Sequence, residues 1–438
     1  MINKLKPKSE FTKNVLTLMT GTTIAQAIPI AISPILTRLY SPQDFGLFAL
    51  YSSILMILSV FATGKYELAI TIPKMNIEAK NIVVLSISIS IVLSVIVLVF
   101  LLLFSNQFAI LLKNEQIEKL LYFLPISILS VGFYQSMNYY TNRESKFKRL
   151  AISRVMQSLS VACMNLFFGY VVYLHYGMIL GSVLGQLLAT MILVKLVWND
   201  NKDFLNNISI KRIFYIAKRN IKFPKFLIVS NFINTFSQQL PIFLFGIYYS
   251  SAVVGYYMLS QRIIKMPSSI LANAVADVFR QKASHQFANN GNCFLLYKQT
   301  IKKLFLIAVI PFSILFFIAP ELFSFIFGEK WKITGEYVQI MMPMFFFQFI
   351  SNPLSMLTVI TNKQEYDIWW QSFFGVGTVI VLFSCHYLQS DIKITLLYLT
   401  LFYSLMYGIM LYLTYYISKN NYLQTQEEKK NAKIFETI

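Results

Sequence analysis

Two cations, Arg262 and Lys265, stand three residues apart in an otherwise apolar stretch of the chain. Counted from residue 253, where that stretch begins, they lie about 9 and 12 residues in, or roughly 14 and 18 Å along a helix. If the helix crosses a bilayer, both sit near its midplane, too deep to reach headgroups easily. Ser269, Asn273 and Asp277 continue the same face at spacings of three or four. A charge at that depth costs roughly 2.5–3.5 kcal/mol on insertion scales and faces a partner or water. Two readings follow: each cation neutralises an acid on a neighbouring helix, or both line a cationic, water-filled cavity. The main acids within apolar stretches are Glu67 and Asp277, both toward the opposite end, which favours the cavity.

Other polar residues gather on a few of the apolar stretches. One carries Ser52, Ser59, Thr63 and Glu67 on a single face, with Lys65 beside them. Snorkelling accounts for Lys65. Glu67 could titrate, hold a coupling cation, or pair with Arg154 or Lys265. Asn231, Asn234, Thr235 and Gln238 share another face, and Thr17, Thr20, Gly21 and Gln26 a third. Hydrogen bonds between helices explain many such residues. The candidate set is therefore Arg262, Lys265, Lys65 and Arg154 as cavity cations. Gln26, Ser59, Thr63, Asn231, Asn234, Gln238, Ser269 and Asn273 form the polar lining, and Glu67 and Asp277 are coupling-ion or pairing acids. Cys163, Cys293 and Cys385 show no metal or redox spacing, and the three histidines do not cluster. No phosphate-cradling glycine loop or metal-ligand motif is present, so no cofactor and no metal are expected. Energy must come from an ion gradient or from the substrate's own gradient.

The elements that position these groups are legible from composition. Of 438 residues 56% are hydrophobic and 13% charged, against roughly 45–50% and about 25% in a soluble domain. The apolar residues fall in blocks of about 20, the length that spans a hydrocarbon core. The pattern predicts an all-α integral membrane protein with about twelve spans. They are placed at 14–38, 45–72, 80–104, 118–141, 150–174, 177–198, 225–249, 253–278, 300–320, 336–360, 366–388 and 394–417. The net charge of +19 lies in the connections between blocks, so it orients helices and meets anionic headgroups; nucleic acid is not an expected partner, whereas membrane lipids are. Lys and Arg alternate strongly between one set of loops and the other, which puts both termini in the cytoplasm. Met1 to Lys13 is basic and no small-residue cleavage site follows, so the first span reads as retained.

The chain divides into a six-helix block at 1–198, a basic linker at 199–224, a second six-helix block at 225–417 and a polar cytoplasmic tail at 418–438. Ile208 to Phe223 mixes apolar residues with Lys211, Arg212, Lys218, Arg219 and Lys222, which suits a helix lying on an anionic leaflet; a basic docking site for a partner is the other reading. The blocks echo one another. Tyr40-Ser41 followed by Phe45-Gly46 matches Tyr249-Ser250 followed by Val254-Gly255 in the same frame, with Leu50 against Leu259. Gln26 to Pro29 resembles Gln238 to Pro241 after a small shift. Six helices per block implies a parallel repeat about an axis along the membrane normal. Ser41-Pro42-Gln43-Asp44 reads as a helix cap, with Asp44 close enough to Arg38 for an ion pair.

Ile35-Leu36-Thr37-Arg38-Leu39-Tyr40-Ser41-Pro42-Gln43-Asp44-Phe45-Gly46, followed by Gly64-Lys65-Tyr66-Glu67-Leu68-Ala69-Ile70 and Pro73-Lys74, resembles the opening of the Wzx-type polysaccharide flippases. These belong to the multidrug/oligosaccharidyl-lipid/polysaccharide exporter superfamily, which includes the MATE and MurJ proteins. The resemblance implies two six-helix bundles related by a pseudo-two-fold axis, with a cavity lined by spans one, two, seven and eight. It implies an undecaprenyl-diphosphate-linked oligosaccharide as substrate, an O-antigen or capsule repeat unit, moved across a bacterial inner membrane. It also implies a polysaccharide polymerase and a chain-length regulator as partners. The family's cation-and-acid pairing falls on Lys65 and Glu67. Arg262 and Lys265 rest on the depth argument alone. A drug or small-solute cation antiporter of the same superfamily would call for acids at midplane. A membrane glycosyltransferase or polymerase would call for a larger extramembrane loop.

Overall fold

The computed structural model describes residues 10–436, apart from 173–174, 203 and 205–207. Its chain is helical throughout. It forms α1 (Glu10–Ala31), α2 (Ser33–Leu39), α3 (Pro42–Ser59), α4 (Asn76–Leu111), α5 (Glu118–Leu121), α6 (Leu124–Arg143), α7 (Phe147–Tyr170) and α8 (Gly177–Asp200). There follow α9 (Ile210–Arg219), α10 (Val229–Tyr248), α11 (Ser251–Asn290), α12 (Phe294–Phe327), α13 (Lys332–Ile360), α14 (Glu365–Tyr387) and α15 (Ile392–Glu436). Each predicted span falls on one or more of these helices.

Among the described residues, 8 stretches are long and apolar enough to cross a membrane, and 9 if the pair Glu115–Leu121 and Leu124–Arg143, bent by 49°, counts as one. The expected spans that fall short are those on α3, α10 and α11. On α10 and α11 composition is the reason, because they carry the polar stripes picked out above; α3 falls short because it stops at Ser59 after 18 residues, leaving Thr63 and Glu67 beyond its end. A helix that faces water on one side need not be apolar all round. By contrast α4 turns Val92, Val95, Ile96, Val99, Leu102 and Leu103 outward, as a lipid-facing helix does.

Two compact units divide the chain, Met1–Met258 and Leu259–Ile438. The division falls within α11 and not in the linker, because α10 and the first turns of α11 pack with α3. Ser53 donates to Gln239 Oε1 at 2.8 Å, and Phe61 meets Phe232 with ring centroids 5.6 Å apart. At the head of α3 the approach is closer still. A Cβ added to Gly46 would fall 1.8 Å from the Ser251 carbonyl oxygen, and one added to Gly255 would fall 1.9 Å from that of Pro42. Backbone therefore lies directly on backbone, which only glycine permits.

Elsewhere in the first unit, small residues again decide which helices touch. Gly181 and Gly185 of α8 lie against the backbone of α7 at Asn165 and Val161, so this glycine pair serves internal packing. Gly21 of α1 lies against Ala151 of α7. Tyr40 fills the space left by Gly169 and Gly177 and donates its hydroxyl to the Asn165 carbonyl at 2.7 Å. Tyr40→Phe removes that bond and is expected to cost about 1 kcal/mol of stability, measured by equilibrium unfolding of the full chain in detergent.

The cap at Ser41 forms as the sequence suggests. The Ser41 side chain accepts from Asp44 N–H, while Asp44 accepts from Ser41 N–H at 2.8 Å. The expected ion pair of Asp44 with Arg38 does not form. The cap commits one carboxylate oxygen, the other faces His175 Nδ1 at 3.7 Å, and Arg38 points outward.

In the second unit α13 packs on α12 and α15, and α14 on α15. Trp370, Phe374, Tyr403 and Tyr407 stack between α14 and α15, with Phe374 and Tyr403 only 4.3 Å apart, and Gln348 of α13 donates to Tyr407 Oη at 2.7 Å. The expected tail is the continuation of α15, which runs to Glu436. Its Tyr422 ring lies 5.5 Å from that of Phe294.

Candidate functional site

In the first unit the site begins where a helix stops. A continuous second span over 45–72 is not formed: α3 ends at Ser59, tight turns follow, and a 3-10 segment covers Tyr66–Thr71. The cause is two successive left-handed residues, Gly64 at φ 59° and Lys65 at φ 60°. Only the first is a glycine, so Lys65 holds a conformation uncommon for its type. Ser90 of α4 donates to the Ala62 carbonyl at 2.6 Å, satisfying one of the acceptors the break exposes. Ser90 reaches it beside Gly132, where an added Cβ would fall 1.9 Å from the Ser90 hydroxyl oxygen.

This break folds Glu67 inward. Its carboxylate is buried and accepts from the Thr63 hydroxyl. Tyr139 of α6 lies within electrostatic reach of both Glu67 and Arg154. Arg154 donates to Thr22 Oγ1 of α1 at 2.6 Å, and the Gly21–Ala151 approach brings those two helices together there. Among the described residues no ion pair within 4.0 Å joins Glu67 to Lys65 or to Arg154. The arrangement is thus a buried carboxylate held by a hydroxyl, with a cation anchored separately nearby. Gln26 is half-buried one helical turn beyond Thr22, while Ser59 spends its hydroxyl on the Leu55 carbonyl.

Lys65 offers a clean test. Glycine accepts its backbone without strain, so Lys65→Gly removes the charge and keeps the turn. We expect that variant to unfold no more readily than the wild type and to transport at least ten-fold more slowly. Undiminished transport would exclude a role for the Lys65 charge.

On α10, Asn234 and Gln238 bond to one another, and Asn231 donates to the Leu227 carbonyl at 2.7 Å. Gln238 and Asn231 remain exposed.

In the second unit α11 presents the polar face foreseen for it. Arg262 is half-buried, Lys265 and Asn273 are exposed, and Ser269 bonds the Met266 carbonyl at 2.8 Å. The adjoining face, Ile264, Ala272, Ala276, Phe279 and Ala283, is buried, with Phe279 against Tyr297 of α12. Lys265 has no hydrogen-bond or ion-pair partner among the described residues. Asp277 does not serve either cation. It pairs with Arg280 at 3.6 Å on its own helix, a geometry that i, i+3 spacing makes easy. Its distance from Lys265 along α11 is about 18 Å.

Several contributors escaped the sequence reading. Thr22 lies one turn before Gln26, and that spacing was the available signal. Tyr139 gives no such signal, because only tertiary packing brings it within electrostatic reach of Glu67 and Arg154. Asp367 is half-buried on α14 and accepts from Thr358 at 2.7 Å. Outside the spans, Lys146 bridges Asp200 at 2.7 Å and Glu144 at 2.9 Å, and the Asp200 bond, then that of Glu144, holds its ammonium above the usual lysine range.

Residues 35–335 match the model of a family described as polysaccharide biosynthesis protein. The chain belongs to that family. The likeness to Wzx-type flippases read from residues 35–74 accords with this membership. No curated protein sequence matches the chain. Among solved structures, the lipid II flippase MurJ in an inward closed conformation is 13% identical at a TM-score of 0.69, over 94% of this chain and 91% of that one. An inward-facing multidrug resistance MATE transporter of the MOP superfamily is 13% identical at 0.66, over 94% and 96%. A MOP-superfamily transporter from Pyrococcus furiosus is 13% identical at 0.64, over 93% and 96%. These likenesses give the fold. Family and fold together make this member a multi-pass, membrane-crossing protein of polysaccharide biosynthesis with the fold of these transporters.

Proposed function

We propose that the chain is a flippase. It moves an undecaprenyl-diphosphate-linked oligosaccharide repeat unit, for O-antigen, capsule or a related polymer, from the cytoplasmic to the outer leaflet of a bacterial inner membrane. It works by alternating access coupled to an ion gradient, with both termini in the cytoplasm. The observation that carries this reading is the α11 face, where Arg262 stands beside an unpartnered, exposed Lys265 in a member of a polysaccharide biosynthesis family, on a helix whose place in the span count would put both near midplane. A diphosphate crossing a region of low dielectric needs such cations, and sugar hydroxyls suit the neutral Asn, Gln and Ser positions. The prenyl tail stays in lipid. Glu67, buried against Thr63, is the group best placed to take up the coupling ion.

Twelve spans in two pseudo-two-fold-related bundles complete the proposal. The repeat motifs support it by their contacts. In the register that aligns Ser41 with Ser250, Pro42 corresponds to Ser251 and Gly46 to Gly255. The contacts Gly46–Ser251 and Gly255–Pro42 are then one contact seen twice, as a two-fold axis between α3 and α11 requires.

In a deletion strain, lipid-linked repeat units should accumulate on the inner leaflet, and the wild-type gene should clear them. Their absence would sink the flippase reading. A cation antiporter, suggested by the MATE fold, would instead restore drug resistance to a strain stripped of its efflux pumps. The α11 cations oppose that reading, because a cationic drug would meet like charge.

A further inference from the structure

Helix α9 has three faces. Ile213, Ile216 and Ala217 pack into the core of the first unit, beside Tyr66 and Ile70 of the 3-10 segment. Arg219 pairs with Glu78 at 2.8 Å, the Ser209 N–H donates to Asn81 Oδ1 at 3.2 Å, and the Tyr66 hydroxyl donates to the Ala217 carbonyl at 3.0 Å. The helix is therefore fixed both to the start of α4 and to the segment that carries Glu67. Among the described residues the remaining two faces have no protein partner. Ile210 and Phe214, one turn apart on α9, are each 73% exposed, and Ile221, in the turn just after the helix, is 52% exposed. Lys211 and Lys218 of the helix and Lys222 beyond it are exposed as well. Exposed apolar side chains among exposed lysines, on a helix tied to the end of a membrane-spanning one, fit an interface of acyl chains and negative headgroups.

We propose that α9 and the turn that follows it form an anionic-lipid-binding element, with Ile210, Phe214 and Ile221 in the acyl boundary and Lys211, Lys218 and Lys222 on the headgroups. Its occupancy is transmitted to the Tyr66–Thr71 segment through the Tyr66–Ala217 bond. Lipid composition thereby sets how firmly the segment that carries Glu67 is held. This goes beyond flipping and does not depend on the identity of the cargo.

Hydrogen exchange tests it on the full chain in nanodiscs of phosphatidylcholine, with and without about a third phosphatidylglycerol. The amides of α9 should exchange more slowly in the anionic discs, and those of Tyr66–Thr71 should follow. Each lysine near such a surface contributes a factor of about five. The variant K211Q/K218Q/K222Q should thus lose most of the difference between lipids while matching the wild type in phosphatidylcholine. Tyr66→Phe should keep the lipid effect on α9 and lose it at 67–71. The proposal is overturned by equal exchange in both lipids, by a triple variant that keeps the full difference, or by free phosphate reproducing the protection in phosphatidylcholine. A Tyr66→Phe chain whose 67–71 amides still respond would overturn the transmission.

Discussion

A chain carrying Arg262→Gln and Lys265→Gln is expected to reach the membrane at its normal level and to export no detectable polysaccharide. Glutamine keeps a polar, hydrogen-bonding end on a somewhat shorter stem and removes the charge. Lys265 is exposed and bonded to nothing among the described residues, so folding loses little there. The cargo loses much more. Leaving one member of a desolvated charge pair without its partner costs about 2–5 kcal/mol, and each 1.4 kcal/mol is a factor of ten. Flipping should fall by between about thirty-fold and several thousand-fold. The measurement is surface polymer alongside immunoblotted protein. Single variants should separate the two residues, and Lys265→Arg should restore part of the activity, because a phosphate accepts either cation. Full polymer in the double variant would remove both from the mechanism.

The second large effect is expected at the glycine crossing. Gly46→Val or Gly255→Val puts carbon where a backbone oxygen already lies, at 1.8 or 1.9 Å. A long side chain could swing aside, but a carbonyl within a helix cannot, so α3 and α11 must separate. Overpacking of this sort costs typically 1–3 kcal/mol. Because either substitution parts the same two helices, the second should add little to the first, a non-additivity that a double-mutant cycle detects. In a Cys163→Ser chain, Val254→Cys, at a position buried in the intact crossing, reports the separation. Its labelling by an impermeant maleimide added outside the cell should rise at least ten-fold in either valine variant, with transport lost. Unchanged labelling would mean that the crossing tolerates side chains and closes nothing.

How much of this was written in the sequence depends on which physics each feature uses. Helix identity and order came through because apolar blocks of about 20 have one economical solution in a bilayer. The α11 stripe came through because spacing of three and four is a property of the helix itself. The Ser41 cap was legible for the same local reason. Glu67 was found, but its setting was not. The depth argument assumed an unbroken helix past Ser59, and Lys65 in a left-handed conformation has no signature in residue type. Asp277 was legible as a coupling-ion or pairing acid, but its neighbour Arg280, three residues away, was not read as its partner. The unit boundary was also invisible. It follows from the contact of Gly46 with Ser251, and two glycines far apart in sequence do not announce that they meet.

The serine that steadies the break after α3 has room to do so only because position 132 lacks a side chain. A single methyl there, in Gly132→Ala, would push the hydroxyl off the Ala62 oxygen and leave that acceptor bare. The chain around Glu67 would then slacken, so a change on α6 would retune a carboxylate it never touches.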